Sequence, residues 1–133
     1  MGEVAPQNVK KSFPKSRRLL RHADFERVYK QGRRHFAVHM TVFYLQRENV
    51  PAGLRVGFTV SKVLGGAVQR NRMKRRLREV VRLSVQPEVA VDVVINPKRS
   101  LLAADFGEVQ SEVAKAFRVI EKSLVDGPEK RRS

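Results

Sequence analysis

One stretch of the chain, residues 61–82, restricts most strongly what the rest can fold into. It contains eight lysines and arginines but a single acidic residue, and it has no proline. Because successive side chains of a helix are about 100° apart, its apolar residues collect within an arc of about 60°. That arc carries Met73, Leu77, Val80 and Ser84, with Val81 at its edge, and the opposite side carries Asn71, Lys74, Arg75, Arg78 and Arg82. The pattern predicts an amphipathic helix with one face for a core and the other for a polyanion.

The charge on this helix favours phosphate binding over an ordinary solvated surface. Between residues 70 and 82 lie six arginines and one lysine, which repel one another at i,i+3 and i,i+4 spacing. The net charge of the whole chain is +15. Residues 1–85 hold 20 basic and 5 acidic residues, whereas residues 86–133 hold 8 of each. An excess confined to one part of an otherwise balanced chain is typical of a nucleic-acid-binding face.

Several classes of protein are excluded or disfavoured by the composition. Without cysteine, no disulfide, thiolate nucleophile or cysteine metal site can form. No apolar run approaches the roughly 20 residues of a membrane span, and the first residues contain no secretory apolar segment. We therefore expect a cytoplasmic protein with no membrane partner. A polybasic membrane-surface protein is less favoured, because such segments are usually tails or amphipathic anchors.

The chain divides into a basic arm, one domain and a charged tail. Its 133 residues suffice for one domain with its own core. Residues 1–21 are polar and basic, and we expect them to form a flexible N-terminal arm. Residues 22–126 hold the helix and strand patterns of the folded domain, and residues 127–133 form the charged tail.

Periodicity and turn residues predict the order of elements within that domain. Three helices are predicted, from His22 or Ala23 to Gln31 with Gly32 as its cap, from about Ala67 to Val85 with Pro87 ending it, and from Ala104 or Asp105 to Leu124. Alternating or continuous apolar runs predict strands over 35–46, 54–61 and 89–95, with a turn over 49–53. This order indicates the α+β fold class, with a single domain and one mixed sheet.

No group of side chains predicts an active site in the protein itself. His35 and His39 would share one face of a strand, but without cysteine or a nearby acid pair they do not predict a metal site. Glu108 and Glu112 lie at i,i+4 on the last helix and are expected to be solvated. Asp92 is the one polar oddity in an apolar strand. We predict no catalytic residue and no metal ligand in the polypeptide.

Two features favour RNA as the polyanion. Phe25 and Tyr29 lie at i,i+4 on the first helix, and Phe43 lies on a strand that could pack beside them. Aromatic rings beside basic residues stack on unpaired bases, but the same spacing is common in cores, so both interpretations stay open. Asn71, between two arginines, can read a base edge or a sugar. A duplex-DNA reader agrees less well with a chain of this element order.

A strand, a Ser-Lys pair, a glycine turn and an arginine-rich helix follow one another over residues 55–82. The residues are Arg55-Val56-Gly57-Phe58-Thr59-Val60-Ser61-Lys62 and then Ala67-x-x-Arg70-Asn71-Arg72-Met73-Lys74-Arg75. This arrangement resembles the protein subunit family of bacterial ribonuclease P. Weaker similarity, over about residues 15–125, includes Asp24-Phe25-x-x-Val28-Tyr29-x-x-Gly32, Phe43, Asp92-Val93-Val94-Ile95-x-Pro97 and the closing helix. Val63 and Gly66 depart from the family, in which polar or basic residues are common at these positions.

The resemblance implies a more detailed fold than periodicity does. It implies the order helix, three strands, helix, strand, helix, with a four-stranded mixed sheet. The fold would be similar to domain 2 of a small-subunit ribosomal protein. It would also contain a left-handed crossover around the basic helix, whereas the general rule for such connections is right-handed.

The resemblance also implies a function and its site residues. The protein would bind the catalytic RNA subunit of ribonuclease P and the single-stranded 5′ leader of precursor tRNA, and no protein partner is predicted. The RNA would cleave the phosphodiester bond, with Mg²⁺ held mainly by its phosphates. The implied RNA contacts are Lys62, Arg70, Asn71, Arg72, Lys74, Arg75 and Arg78, and the implied leader contacts are Phe25, Tyr29 and Phe43. The alternatives are a structural RNA-binding ribosomal or assembly protein with no linked reaction, and an architectural DNA-binding protein.

Overall fold

The computed structural model describes residues 21–47 and 53–126. The predicted arm up to residue 20, most of the predicted turn and the tail over 127–133 lie outside these residues. The helices within them are α1 (His22–Gln31), α2 (Ala67–Leu83) and α3 (Phe106–Asp126), and the strands are β1 (Arg33–Phe36), β2 (Met40–Gln46), β3 (Leu54–Phe58) and β4 (Val91–Pro97). Short 3-10 turns, Lys62–Leu64 and Arg99–Leu102, precede α2 and α3.

The four strands form one mixed sheet in the order β1-β2-β4-β3. β1 pairs with β2 and β2 with β4 in antiparallel register, whereas β3 and β4 are parallel. The chain therefore leaves β3, passes through α2 and returns beside β3 as β4. The α+β class, the mixed sheet and the element order implied by the resemblance are confirmed. The handedness of the crossover stays a prediction.

The prediction of one long strand over 35–46 is wrong, because the chain turns between Phe36 and Met40. The two halves form a hairpin in which Phe36 pairs with Thr41. Inside the turn the Ala37 N–H donates to the Met40 carbonyl at 2.9 Å. The backbone N–H groups of Val38 and His39 donate to the Glu112 carboxylate of α3, at 3.2 and 3.1 Å. A tertiary contact thus satisfies the backbone donors of this turn. The alternating pattern gave no sign of it, because the segment contains no glycine or proline.

The main core lies between one face of the sheet and the helices α2 and α3. Side chains from the sheet and from both helices are fully or almost fully buried there, including Val42, Val56, Val93, Ile95, Met73, Leu77, Val80, Val113, Phe117 and Ile120. The opposite face of the sheet carries α1, whose Val28 is buried, as is Val94 of β4. α1 leaves part of this second face uncovered, and that part belongs to the candidate site.

The element boundaries differ from the predictions by a few residues. α2 ends at Leu83, two residues before the predicted Val85. Ser84 is its C-cap, and the Ser84 hydroxyl donates to the Val80 carbonyl at 2.7 Å. β3 ends at Phe58, and β4 runs two residues later than predicted, to Pro97. α3 extends to Asp126.

Gly32 closes α1 as predicted, although its φ of −82° is open to any residue. The need for glycine comes from close packing. A Cβ at this position would lie 2.5 Å from the Val28 carbonyl oxygen and 2.6 Å from that of Tyr44. The absent side chain therefore lets α1 approach β2.

Candidate nucleic-acid interface

The basic helix α2 has the two faces that its sequence predicts. Met73, Leu77, Val80 and Val81 are at most 2% exposed and pack into the core. Asn71, Arg72 and Arg75 are exposed on the other side, and Lys62 is exposed in the 3-10 turn before the helix. The apolar face anchors the helix, so the basic side chains stand on a rigid support.

The remaining predicted RNA contacts on this helix are half-buried. Arg70, Lys74 and Arg78 belong to this group. The Arg70 Nε donates to the Gly65 carbonyl at 3.2 Å, in a turn where Gly65 has a φ of 143° that favours glycine. This contact joins the start of the helix to the glycine turn. The structure thus brings all seven predicted contacts to α2 and the turn before it.

Arg82, which the helical pattern also placed on the basic face, is engaged within the protein. It forms an ion pair with Glu79 one turn earlier. The hydrogen bond from Arg82 holds the pKa of the Glu79 carboxyl below its ordinary value. The basic surface of α2 is therefore concentrated in its first three turns.

Arg76 was not among the predicted contacts, yet it lines a concave basic surface. Its Nη1 donates to the carbonyls of Leu101 and Ala104, at 3.0 and 2.6 Å. These bonds hold the guanidinium against the turn before α3. Arg76, Arg72, Arg75 and Leu102 line a cavity of about 310 Å³. Three guanidinium groups around one concavity can take a phosphate, and the i,i+4 spacing of Arg72 and Arg76 was the available sequence signal.

The three predicted aromatic side chains meet between α1 and the sheet. The Tyr29 and Phe43 rings pack edge to face, with centroids 4.9 Å apart. Phe25 packs over Gly57 so closely that a Cβ there would lie 2.4 Å from its ring. All three side chains are half-buried, so each ring combines a packed side with an accessible one. The structure thus brings them together, and their proposed contact with RNA stays a prediction.

Polar groups continue this surface beside Tyr29. Its hydroxyl lies 2.7 Å from Thr59 Oγ1 and 3.0 Å from Asn96 Oδ1, which ties α1 to β4 and to the end of β3. The guanidinium carbon of Arg34 lies 5.5 Å from the centroid of the Phe43 ring, within cation–π range. Aromatic, hydrogen-bonding and cationic groups therefore share one face, which is the combination that single-stranded nucleic acid requires.

A buried ion network explains Asp92 and fixes α1 on the sheet. The Asp92 carboxylate is 1% exposed and accepts from Arg47 at 2.8 Å and from Arg55 at 2.9 and 2.8 Å. Arg27 of α1 lies 3.7 Å away and pairs at 2.6 Å with Asp24. Burial alone would raise the pKa of Asp24, but the Arg21 backbone N–H and the Arg27 and Arg55 guanidiniums together lower it. Acid and base alternate across the junction of helix and sheet.

Two predictions are wrong: that His35 and His39 share a strand face, and that Glu108 and Glu112 are simply solvated. His39 lies in the β1–β2 turn and does not share a strand face with His35. Its ring nitrogens lie 2.7 Å from Ser100 Oγ and 2.9 Å from Glu108 Oε2. Glu108 and Glu112 both bind this turn and are not simply solvated. Burial, followed by the nearby Lys115 charge, lowers the pKa of His35.

Two other features are absent from the residues that the structure describes. Among residues 21–47 and 53–126, no group of three or more acidic or histidine side chains is placed to hold a metal ion. Within the same residues, no helix is both long enough and apolar enough to span a bilayer.

The chain matches known proteins over most of its length. The family model described as Ribonuclease P matches residues 13–121. The ribonuclease P protein component of Geobacter sp. (strain M21) is 38% identical over 111 residues, which are 84% of this chain and 94% of that protein. That of Maridesulfovibrio salexigens is 41% identical over 91 residues, which are 68% of this chain and 73% of that protein.

Solved structures of the same kind share the fold. The RNase P protein from Thermotoga maritima superposes with a TM-score of 0.66 at 27% identity, and covers 75% of this chain and 94% of that one. The Staphylococcus aureus RNase P protein gives a TM-score of 0.65 at 25% identity, with 78% and 94% covered. The basic helix α2, the aromatic face formed by Phe25, Tyr29 and Phe43, and these similarities together show that the chain belongs to the ribonuclease P protein family.

Proposed function

We propose that this chain acts in the cytoplasm as the protein component of a ribonuclease P whose RNA subunit removes the 5′ leader of precursor tRNA. The observation that carries the proposal is the division of α2 into a buried apolar face and a basic face whose residues are exposed or half-buried. A helix anchored in this way offers positive charge without freedom to collapse onto the protein. Membership of the family supports the choice of RNA as the polyanion.

The basic face is assigned to the catalytic RNA. Lys62, Arg70, Asn71, Arg72, Lys74, Arg75 and Arg78 are the proposed contacts. We add Arg76, because two backbone carbonyls hold its guanidinium at the rim of a concavity. A donor that is already oriented loses little entropy when a phosphate binds, whereas the exposed Arg72 and Arg75 must be ordered at that moment.

The aromatic face is assigned to the single-stranded leader. The rings of Phe25, Tyr29 and Phe43 are held from one side and accessible from the other, so unpaired bases can stack on them without a change in the fold. Arg34 and Asn96 supply a cation and an amide beside the rings. Both surfaces belong to one domain, which supports a role in aligning two RNAs.

In the proposed reaction a water molecule displaces the leader from the phosphorus at the 5′ end of the mature tRNA. Membership of the ribonuclease P family supports leaving this step, and Mg²⁺, to the RNA. Magnesium bound by RNA phosphates would activate the water and stabilise the charge that develops on the leaving oxygen. The polypeptide screens phosphate repulsion where the RNAs approach and holds the leader in register.

The test is leader removal by reconstituted enzyme. Purified protein is added to catalytic RNA at a magnesium concentration too low for efficient cleavage by the RNA alone, and release of the 5′ leader is measured. We expect faster cleavage only when both components are present. Cleavage by the protein alone would contradict the assignment of chemistry to RNA. Binding of both RNAs without faster cleavage would favour a structural RNA-binding protein with no linked reaction.

A further inference from the structure

Phe36 is a large aromatic side chain that the surfaces described above do not include. It is the last residue of β1, and it is 67% exposed. A single exposed apolar residue is common on protein surfaces and needs no explanation by itself. Phe36 is of interest because of its position relative to the aromatic face.

The register of the sheet places Phe36 on the same face as Phe43. Arg34 pairs with Phe43 and Phe36 with Thr41, so Arg34 and Phe36 both project to the side that carries α1. Thr41 in turn pairs with Asn96, whose Oδ1 lies 3.0 Å from the Tyr29 hydroxyl. A row of side chains therefore crosses the sheet from the end of β3 to its opposite edge, in the order Thr59, Asn96, Thr41 and Phe36.

This row lies just beyond the area that α1 covers. Phe25 packs on Gly57, and the Tyr29 ring packs on Phe43, in the neighbouring row of the sheet. Tyr29 reaches the outer row only with its hydroxyl. Thr41 and Asn96 are half-buried, and exposure is greatest at Phe36, where the row ends. The row is an open continuation of the aromatic face.

The surroundings of Phe36 have the chemistry of a nucleotide site. Arg34 lies two residues earlier on the same face, is exposed, and forms no ion pair with an acidic residue among those that the structure describes. A base on the Phe36 ring would leave its phosphate within reach of this guanidinium. Phe36 and Phe43 are diagonal neighbours on paired strands, and such residues are typically about 7–8 Å apart in the backbone. If the two rings project in parallel from these positions, one base, stacked at about 3.4 Å from each ring, fits between them.

The sheet topology also indicates the direction in which the RNA leader crosses this face. β3, which leads through the 3-10 turn into α2, is one edge of the sheet, and β1 is the other. If α2 docks on the catalytic RNA, the leader enters this face beside β3 and leaves it beside β1. Phe36 then meets a nucleotide farther from the cleavage site than those at Phe25 and Tyr29.

We propose that Phe36, with Arg34, forms an outer stacking position for a base of the 5′ leader, so that this protein binds long leaders more tightly than short ones. The proposal rests on the proposed function, because it needs the leader to lie on the aromatic face. Because the Phe36 side chain is mostly exposed, the fold does not depend on it. The residue can therefore be replaced, and RNA binding measured, without loss of structure.

The experiment measures the affinity of the reconstituted complex for precursor tRNAs whose leaders are shortened one nucleotide at a time. We expect Phe36→Ala to weaken binding of the longest leaders about 5-fold to 100-fold. Below the length that reaches β1, the variant and the unaltered protein should bind equally. Phe36→Trp should restore the preference for long leaders, whereas Phe36→Leu should not. Val38→Ala, at a neighbouring residue that is 69% exposed, is the matched control and should behave like the unaltered protein.

Each other outcome overturns the inference in a distinct way. Equal affinity of Phe36→Ala at every leader length removes the outer position. A loss that is independent of leader length, or that extends to mature tRNA, assigns Phe36 to another part of the RNA. Full affinity of Phe36→Leu for long leaders shows an apolar contact rather than stacking. Phe25→Ala separates the two proposals, because this variant should lose leader affinity even if Phe36 has no role. Unchanged leader affinity of Phe25→Ala would count against the proposed function itself.

Discussion

At the residue scale, Asp92 is the position that the sequence pattern left unexplained. An acid in a run of buried β-branched residues is unfavourable unless charges of opposite sign surround it. Arg47, directly after β2, and Arg55 of β3 supply those charges, and Arg27 adds a third from α1. The same carboxylate therefore joins the strands to the helix that forms one wall of the aromatic face.

Replacing Asp92 with asparagine should destabilise the protein, because Arg47 and Arg55 would keep their charges without a carboxylate. We expect the free energy of unfolding, measured by urea denaturation, to fall by about 3 kcal/mol. Glu26→Gln on α1 is the matched control, since its carboxylate is 58% exposed and, among the residues that the structure describes, pairs only with the exposed His22. That variant should stay within about 0.5 kcal/mol of the unaltered protein. Equal losses in the two variants would show that the network adds nothing beyond net charge.

Other single residues show why local pattern could not find the whole site. Arg76 appears in the sequence as one more base in a basic helix, and only its bonds to Leu101 and Ala104 distinguish it from its neighbours. Phe36 appears as one alternating residue of a strand. Its exposure depends on where α1 ends over the sheet. Both properties come from residues distant in the chain, which periodicity does not report.

At the scale of elements, α2 was the most predictable part of the protein. Its apolar stripe is long and regular, so the buried residues Met73, Leu77 and Val80 follow directly from helical geometry. Its end was less predictable, because Ser84 offers the helix a cap before Pro87 is reached. The β1–β2 hairpin was missed because its turn depends on Glu112 of α3 and has no glycine or proline of its own.

The role of α2 as a docking element can be tested by removing two of its charges. We expect Arg70→Ala combined with Arg75→Ala to weaken binding to the catalytic RNA at least about tenfold at moderate salt, because each charge-assisted phosphate contact contributes roughly 1.5–3 kcal/mol. Lys115→Ala combined with Arg118→Ala on α3 removes the same net charge from two exposed positions and should have a much smaller effect. Filter binding measures both. Similar losses in the two double variants would indicate non-specific attraction.

At the scale of the whole molecule, the charge distribution separates a binding side from a scaffold. The basic excess lies in residues 1–85, whereas the later strand β4 and helix α3 belong to a segment with 8 basic and 8 acidic residues. The two proposed RNA surfaces lie on opposite faces of the sheet. The aromatic face is next to α1 on one face, and the basic surface belongs to α2 on the other. One domain can therefore contact two RNAs without their phosphates occupying the same surface.

This arrangement predicts a strong dependence of RNA binding on salt. If the full chain neutralises about five phosphates of the catalytic RNA, its affinity should fall about 10²-fold or more between 50 and 200 mM monovalent salt, through release of counterions. Titrations of the labelled RNA at several salt concentrations give the slope directly. A nearly flat dependence would mean that apolar or hydrogen-bonding contacts, rather than the basic helix, hold the complex together.

The sequence alone determined the amphipathic basic helix, the absence of cysteine chemistry, the α+β class and the family, because these depend on residue type and short-range periodicity. The tertiary structure decided which charges are engaged, which aromatic rings stay accessible and where the chain turns. Asp92 meets Arg47 across 45 positions of sequence, and Arg33 meets Ser123 across 90. Strand register and helix packing bring such pairs together, so their partners follow from the assembled sheet and not from any local stretch of the chain.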